Sequence, residues 1–220
     1  MTETIRTDER FKQRTLDRIP LGRWAEPEEI APVWVFLASE GASYVTGQLI
    51  VTQAFAPLLG ATPGAKTKSP GRICMMSSVG GKVASPFLGP YSASKFALEG
   101  LSESLRRELM IYGVDVIIIA PGAIATPIWD KADAIDVSRY ANTPYKPSLD
   151  LVKKYMVGLG QKGLPPERIG EVVHTALTTA SPKTRYIVTP EPLTNWLGNN
   201  LPKRMLDTTI AKRLGLTRQF

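Results

Sequence analysis

Ser78-Val-Gly-Gly-Lys-Val-Ala-Ser-Pro-Phe-Leu-Gly-Pro-Tyr91-Ser-Ala-Ser-Lys95 decides the fold, because it joins an apolar, strand-like run to a long helical pattern. Tyr91 and Lys95 are four residues apart, so they stand on the same face of a helix. A free phenol, with a pKa of roughly 10, exchanges protons poorly near neutrality. An ammonium group fixed nearby stabilises the phenolate and makes a phenol usable in acid–base chemistry. Ser78 lies at the end of the strand, where its hydroxyl could contact the oxygen atom with which the phenol exchanges a proton.

This spacing resembles the signature of the short-chain dehydrogenase/reductase family, which is Tyr-x-x-x-Lys with a serine thirteen residues before the tyrosine. Pro121 and Gly122, followed by Thr126, resemble the next landmark of that family, which contributes to cofactor binding. The combined spacing is far more specific than a lone Tyr-x-x-x-Lys pair on a helix. The resemblance implies an NAD(P)-dependent oxidoreductase that interconverts an alcohol and a carbonyl.

The same resemblance assigns roles to individual residues. Tyr91 is implied to be the catalytic acid and base, Lys95 its stabilising partner and a ribose contact, and Ser78 the residue that orients the substrate oxygen. The backbone of Ile124 and the side chain of Thr126 are implied to hold the nicotinamide carboxamide. The cofactor is therefore expected to be NAD or NADP. The string Pro182-Lys-Thr-Arg-Tyr-Ile-Val188 resembles family members that act on larger apolar alcohols or ketones.

Composition indicates a single globular domain of 220 residues, with 43% hydrophobic and 21% charged residues. The net charge of +7 is scattered without long basic runs, so it does not predict nucleic-acid binding. One cysteine, Cys74, and one histidine, His174, exclude a disulfide framework and predict no metal site.

The N-terminus is charged and no apolar run reaches the length of a membrane span, so we expect a cytoplasmic protein without integral membrane contact. Residues 201–216 form a basic amphipathic pattern. Such a pattern fits either a membrane surface or docking onto the parent domain or a partner subunit. We favour docking.

Apolar runs predict buried parallel strands at 71–77, 114–120 and 185–189, separated by helical patterns. The helix predicted at 92–111 has an apolar side made of Phe96, Leu98, Leu101, Leu105 and Leu109. Alternating strands and helices favour an α/β fold, a truncated Rossmann-like three-layer sandwich with a small, mainly parallel sheet. Residues 123–163, rich in proline and polar residues, match the mobile segment that covers the substrate in the family.

The order of segments is unusual for the family. Residues 1–48 resemble the C-terminal end of family members, whereas 49–220 resemble their catalytic and C-terminal part. This pattern suggests a chimera with a junction near 45–48. Residues 48–59 would be strand in the first context and helix in the second, and we predict helix because good helix formers follow.

Neither G-x-x-x-G-x-G nor G-x-G-x-x-G occurs upstream of Ser78, although such a turn normally holds the cofactor pyrophosphate. Tyr44 also stands where the family has a catalytic asparagine. We therefore expect weak or absent NAD(P) binding and no measurable dehydrogenase activity. The alternative to an enzyme is a recombinant or engineered family fragment that folds and self-associates without cofactor.

Family members commonly pair through two helices that correspond to 47–60 and 92–111 here. A homodimer is therefore expected, and its apolar contacts would be Phe55, Leu58, Leu98 and Leu105. The strand at 71–77 would expose one edge, which either the N-terminal fragment or another copy of the chain should cover.

Overall fold

The computed structural model describes residues 51–64 and 69–217. The expectations for residues 1–48, including the family resemblance of that fragment and the place of Tyr44, lie outside the described residues. So do residues 48–50 of the segment that is predicted to be helical. Residues 51–55 are α-helical and continue into a 3-10 turn at Ala56–Leu59, so the helix prediction is confirmed for the described part of that segment.

Three parallel strands form one sheet in the order β1-β2-β3. They are β1 (Arg72–Met76), β2 (Asp115–Pro121) and β3 (Arg185–Val188). Arg72 of β1 is opposite Asp115 of β2, and Ile118 of β2 is opposite Arg185 of β3. The predicted small parallel sheet is confirmed, and each strand begins within a residue of its predicted start.

Six α-helices and short 3-10 turns complete the described part of the chain. The helices are α1 (Gly89–Leu109), α2 (Ile128–Asp133), α3 (Lys146–Gln161), α4 (Pro166–Thr178), α5 (Pro192–Asn200) and α6 (Lys203–Arg213). The other 3-10 turns are Val79–Gly81, Met110–Tyr112 and Ser138–Tyr140.

The sheet is covered on both faces, which confirms the three-layer α/β arrangement. On one face, Met75 and Val116 pack with Leu98 and Leu109 of α1. On the other, the buried cluster of Ile117, Ile119, Ala176 and Val188 includes a residue of α4. Successive residues of β2 point to opposite layers, which explains why its sequence is apolar almost throughout.

Helix α1 begins three residues earlier than predicted, because Pro90 fits the first turn of a helix. It ends through a 3-10 turn at Gly113, whose φ of 70° is the left-handed conformation that glycine adopts readily. Two side chains on this helix correct the sequence prediction. Leu98 is fully buried beneath the sheet, so it is not available for a dimer contact, and Phe96 is 45% exposed rather than on the core side.

Helices α2, α3 and α5 were not predicted from the sequence, and α3 is the longest of them. The predicted mobile segment at 123–163 contains this helix of 16 residues, and its buried side includes Val152 and Gly160.

Among the described residues, β1 pairs only with β2, so no described strand lies along its other edge.

Within 51–64 and 69–217, no helix combines the length and the apolar character that crossing a bilayer requires. The same ranges hold no cluster of three or more His, Cys, Asp or Glu side chains that could ligate a metal ion.

Candidate active site

Ser78 lies where the chain leaves β1 and enters the 3-10 turn at Val79–Gly81. Its Oγ accepts a hydrogen bond from the backbone N–H of Gly80 at 3.0 Å and donates one to the carbonyl of Pro121 at 3.4 Å. The first bond caps the turn, and the second joins it to the end of β2. The hydroxyl is therefore held at the carboxyl edge of the sheet, where ligands bind in open α/β folds.

Tyr91 and Lys95 lie in the first turns of α1, on the side that faces this edge. The Lys95 ammonium donates to the carbonyl of Met76 at 3.1 Å and lies 5.9 Å from the centre of the Tyr91 ring. Burial lowers the pKa of Lys95 below its usual value. A Cβ on Gly80 would lie 3.3 Å from the Tyr91 ring, so the serine turn and the tyrosine are close neighbours. The structure thus brings the three predicted catalytic residues together.

The segment that follows β2 carries the predicted cofactor-binding residues and is fixed by its backbone. Ala125 N–H donates to the Leu164 carbonyl at 2.9 Å, and Leu164 N–H donates to the Ala123 carbonyl at 3.0 Å. Gly122 N–H donates to Val188 at 2.8 Å, and any Cβ at Gly122 would lie 2.5 Å from Thr189 Oγ1. Only glycine therefore fits at position 122, where the backbone passes close to Thr189.

Trp129 fixes the same segment from the other side, and sequence reasoning did not identify it. Its indole Nε1 donates to the Ile124 carbonyl at 2.6 Å, and its ring packs against Gly160 of α3. The glycine at 160 was the available signal, because a glycine in a helix marks a close approach by another group.

These residues open onto a cavity of about 640 Å³ whose wall is mainly apolar. Its lining includes Ser78, Tyr91, Ile124 and Thr126, together with residues from α2, α3, α5 and α6. From α6 and the residue after it come Leu206, Ile210, Arg213 and Leu214. The expected docking of the tail onto the parent domain is confirmed for this helix, although Met205 is 56% exposed.

A buried ion pair supports the turn that carries Ser78. Arg185 Nε lies 3.2 and 3.0 Å from the two carboxylate oxygens of Glu99, and another nitrogen of its guanidinium donates to the Ser78 carbonyl at 3.3 Å. Side-chain exposure is 16% for Arg185 and 5% for Glu99. Sequence reasoning missed this pair, because an isolated acid on a helix and an arginine at a strand start carry no signal of contact.

The described residues fit only the reacting end of a nicotinamide cofactor. Ser78, Tyr91, Ile124 and Thr126 share one cavity, which suits a nicotinamide ring and a substrate carbonyl. The turn after β1 does not suit a phosphate, because the backbone N–H groups of Gly80 and Gly81 already donate to the Ser78 hydroxyl and to the Ser78 carbonyl. Neither β2 nor β3 leads into a glycine-rich turn.

Gly160→Ala is expected to destabilise the protein by about 1–3 kcal/mol, because the new methyl group would overlap the Trp129 ring. Gly158→Ala in the same helix is the matched control, since no atom lies within 4 Å of its added Cβ. That control should be neutral or stabilising. Chemical denaturation of both variants checks this, and equal stabilities would show that Trp129 is free to move aside.

Two protein families match successive parts of the chain. The family described as "short chain dehydrogenase" matches residues 42–135. The family described as "Enoyl-(Acyl carrier protein) reductase" matches residues 1–54. The two matches overlap at 42–54.

Individual proteins give the same picture. The chain is 39% identical over 171 residues to an NADPH-dependent 3-dehydrocapnine reductase of Ornithobacterium rhinotracheale, covering 77% of this chain and 59% of that protein. It is 32% identical over 177 residues to an uncharacterized oxidoreductase of Schizosaccharomyces pombe, covering 78% and 69%. A crystal structure of a short-chain dehydrogenase/reductase from Burkholderia phymatum in complex with NAD shares the fold, with a TM-score of 0.52, 21% identity and coverage of 82% and 60%.

Proposed function

The chain belongs to the short-chain dehydrogenase/reductase family, and on that premise we propose that its cavity is the reacting end of an NAD(P)-dependent site for alcohol and carbonyl interconversion. One observation carries the proposal: Tyr91 and Ser78 line the same apolar cavity, and the Lys95 ammonium lies behind the tyrosine. The chain covers 59% of the reductase from Ornithobacterium rhinotracheale, so the activity of the whole protein is part of the proposal.

In this proposal the Tyr91 hydroxyl gives its proton to the carbonyl oxygen during reduction and removes it during oxidation. Lys95 stabilises the resulting phenolate by its charge, and its bond to the Met76 carbonyl fixes the ammonium in place. The Ser78 hydroxyl donates to Pro121 over a long 3.4 Å, so it can turn its proton toward a substrate oxygen instead.

The cofactor, when bound, supplies or accepts the hydride. Thr126 and the backbone of Ile124 would hold its carboxamide. The Ile124 carbonyl already accepts from Trp129, but a carbonyl oxygen has two lone pairs and can accept a second hydrogen bond. Trp129 thereby holds this carbonyl in one orientation. The NADPH-dependent relative supports NADP(H) or NAD(H) as the cofactor class.

The apolar wall favours an apolar alcohol or ketone as the substrate. Most lining residues from α2, α3 and α6 are aliphatic or aromatic, among them Ile128, Trp129, Met156, Leu159 and Leu206. A cavity of about 640 Å³ lies in the usual range for small-molecule sites. Burial of apolar substrate surface would supply much of the binding free energy.

A second candidate is a family fragment that folds without acting on a cofactor. The observation that favours it is the turn after β1, whose Gly80 and Gly81 backbone N–H groups donate within the turn and are not available to a phosphate. We also propose, as part of this candidate, that residues 1–48 and 49–220 derive from two different relatives. The overlap of the two family matches at 42–54 supports a junction there.

Self-association is a proposal for either candidate. The two segments expected to pair, 47–60 and 92–111, expose apolar side chains in their described parts. These are Phe55, Leu58 and Phe96, and Leu58 is 79% exposed. A two-fold contact would cover the same apolar patch on both copies. Leu98 takes no part in it, because it is buried in the core.

Oxidation of NADPH in the presence of ketones tests the two candidates. Millimolar cofactor is needed, because the described residues hold only its reacting end. The first candidate predicts slow turnover of an apolar ketone, at least about tenfold faster than turnover of a hydroxylated ketone of equal size, since burying a polar group without a partner is costly. The second candidate predicts the lack of measurable activity that the missing glycine-rich turn leads us to expect. The absence of turnover with every ketone, at every cofactor concentration, would favour the second candidate.

A further inference from the structure

Arg213 is the one charged residue among the described residues that line the cavity. It stands in the last turn of α6, and its guanidinium carbon lies 4.6 Å from the centre of the Tyr155 ring. Tyr155, on α3, lines the cavity as well. A cation stacked on an aromatic ring is held in one place while its N–H groups remain able to donate.

The charges around Arg213 leave it available to a ligand. In the described part of the chain no carboxylate forms an ion pair with it. Glu191 accepts a hydrogen bond from the Tyr155 hydroxyl at 3.3 Å and does not line the cavity. Arg213 is itself exposed, so an anion can reach it without displacing a protein partner.

The end of α6 does not by itself explain the position of this arginine. A basic residue in the last turn stabilises a helix through its dipole, but Lys212 provides the same charge one residue earlier. Lys212 is exposed and is not part of the cavity wall. Arg213 differs in that its side chain borders the apolar cavity that also contains Tyr91 and Ser78.

We propose that the substrate is an elongated apolar carbonyl compound or alcohol with a carboxylate at the end remote from the reacting carbon, and that Arg213 binds this carboxylate. The inference rests on the proposed function for the position of the reacting carbon. The chain of the substrate would lie along the wall built by α3 and α6, between the pair Tyr91 and Ser78 and the guanidinium. Arg213 would thus act as a specificity determinant through a charge-assisted, bidentate contact.

Calorimetric titration of the full chain with ten-carbon ligands, below their micelle concentrations and without cofactor, tests this inference. We expect decanoate to bind the wild type at least about tenfold more tightly than decan-1-ol, with decylammonium weakest. Arg213→Gln should remove the preference for decanoate and leave the affinity for decan-1-ol unchanged. Lys212→Gln is the matched control and should retain the preference.

Equal affinities of the wild type for decanoate and decan-1-ol would overturn the inference, as would a preference that persists in Arg213→Gln. Either result leaves the proposed function standing if an uncharged apolar ketone is still turned over. Failure of every ten-carbon ligand to bind would overturn both the inference and the apolar substrate class. Binding needs no cofactor, so a chain without turnover can still show the preference for decanoate.

Discussion

Arg185→Met is expected to lower the free energy of unfolding by about 3–5 kcal/mol, because it leaves the Glu99 carboxylate buried without its partner. The Glu99 side chain is 5% exposed, so water cannot replace the guanidinium without a rearrangement. The substitution also removes the hydrogen bond from Arg185 to the Ser78 carbonyl. Urea denaturation of the wild type and of Arg185→Met, monitored by circular dichroism, measures the loss of stability.

The double variant Glu99→Gln with Arg185→Met is the control for this prediction. Gln fills nearly the volume of Glu without a charge, so the double variant should regain a large part of the lost stability. With the single variant Glu99→Gln measured as well, the three stability changes give a coupling free energy between the two positions. A loss below about 1 kcal/mol in Arg185→Met would indicate that the pair is solvated like an exposed ion pair.

Tyr91→Phe is expected to reduce the rate of ketone-dependent NADPH oxidation by about 10²–10⁴-fold, the usual contribution of a general acid. The substitution removes one hydroxyl and keeps the ring, which lies beside Gly80. Steady-state rates at millimolar NADPH with a saturating apolar ketone measure the effect. Stability should change little, because the side chain is 46% exposed.

Tyr145→Phe is the matched control, since it removes a phenol at an exposed tyrosine outside the cavity wall. Its ring packs edge-on against Phe87, and phenylalanine preserves that contact. The control should retain the wild-type rate. If the two variants turn over ketone at equal rates, Tyr91 is not the proton donor.

The sheet could be predicted from the sequence because its strands are short apolar runs with turns on both sides. Three buried isoleucines in succession, Ile117 to Ile119, are typical of a parallel strand that is covered on both faces. The group of Ser78, Tyr91 and Lys95 was predictable for a different reason. Its spacing, a serine thirteen residues before a Tyr-x-x-x-Lys pair, resembles the signature of the family.

Contacts between residues far apart in sequence could not be predicted in this way. Glu99 on α1 and Arg185 at the start of β3 meet only in the folded chain, and neither residue has a local pattern that indicates a partner. Helix α3 was missed because Pro147, Gly158 and Gly160 suggest a loop. In the structure Pro147 fits the first turn, and Gly160 makes room for Trp129.

The apolar side predicted for α1 wrongly included Phe96. Phe96 and Leu98 are only two residues apart, so they cannot share a helix face equally. The periodicity included both, and the packing of α1 against Met75 and Val116 chose Leu98. The tail helix could be recognised as amphipathic from its periodicity. Its place in the cavity wall could not be predicted, because it depends on how the chain folds back onto the parent domain.

The central claim is that the chain supplies the reacting end of a nicotinamide site and holds the rest of the cofactor weakly. Calorimetric titration of the full chain with NADPH, NADH and reduced nicotinamide mononucleotide tests it most directly. We predict dissociation constants near or above about 1 mM for all three, equivalent to at most about 4 kcal/mol, with no advantage for the dinucleotides. Charge-assisted phosphate contacts contribute roughly 1.5–3 kcal/mol each, so a dissociation constant for NADPH in the micromolar range would contradict the claim.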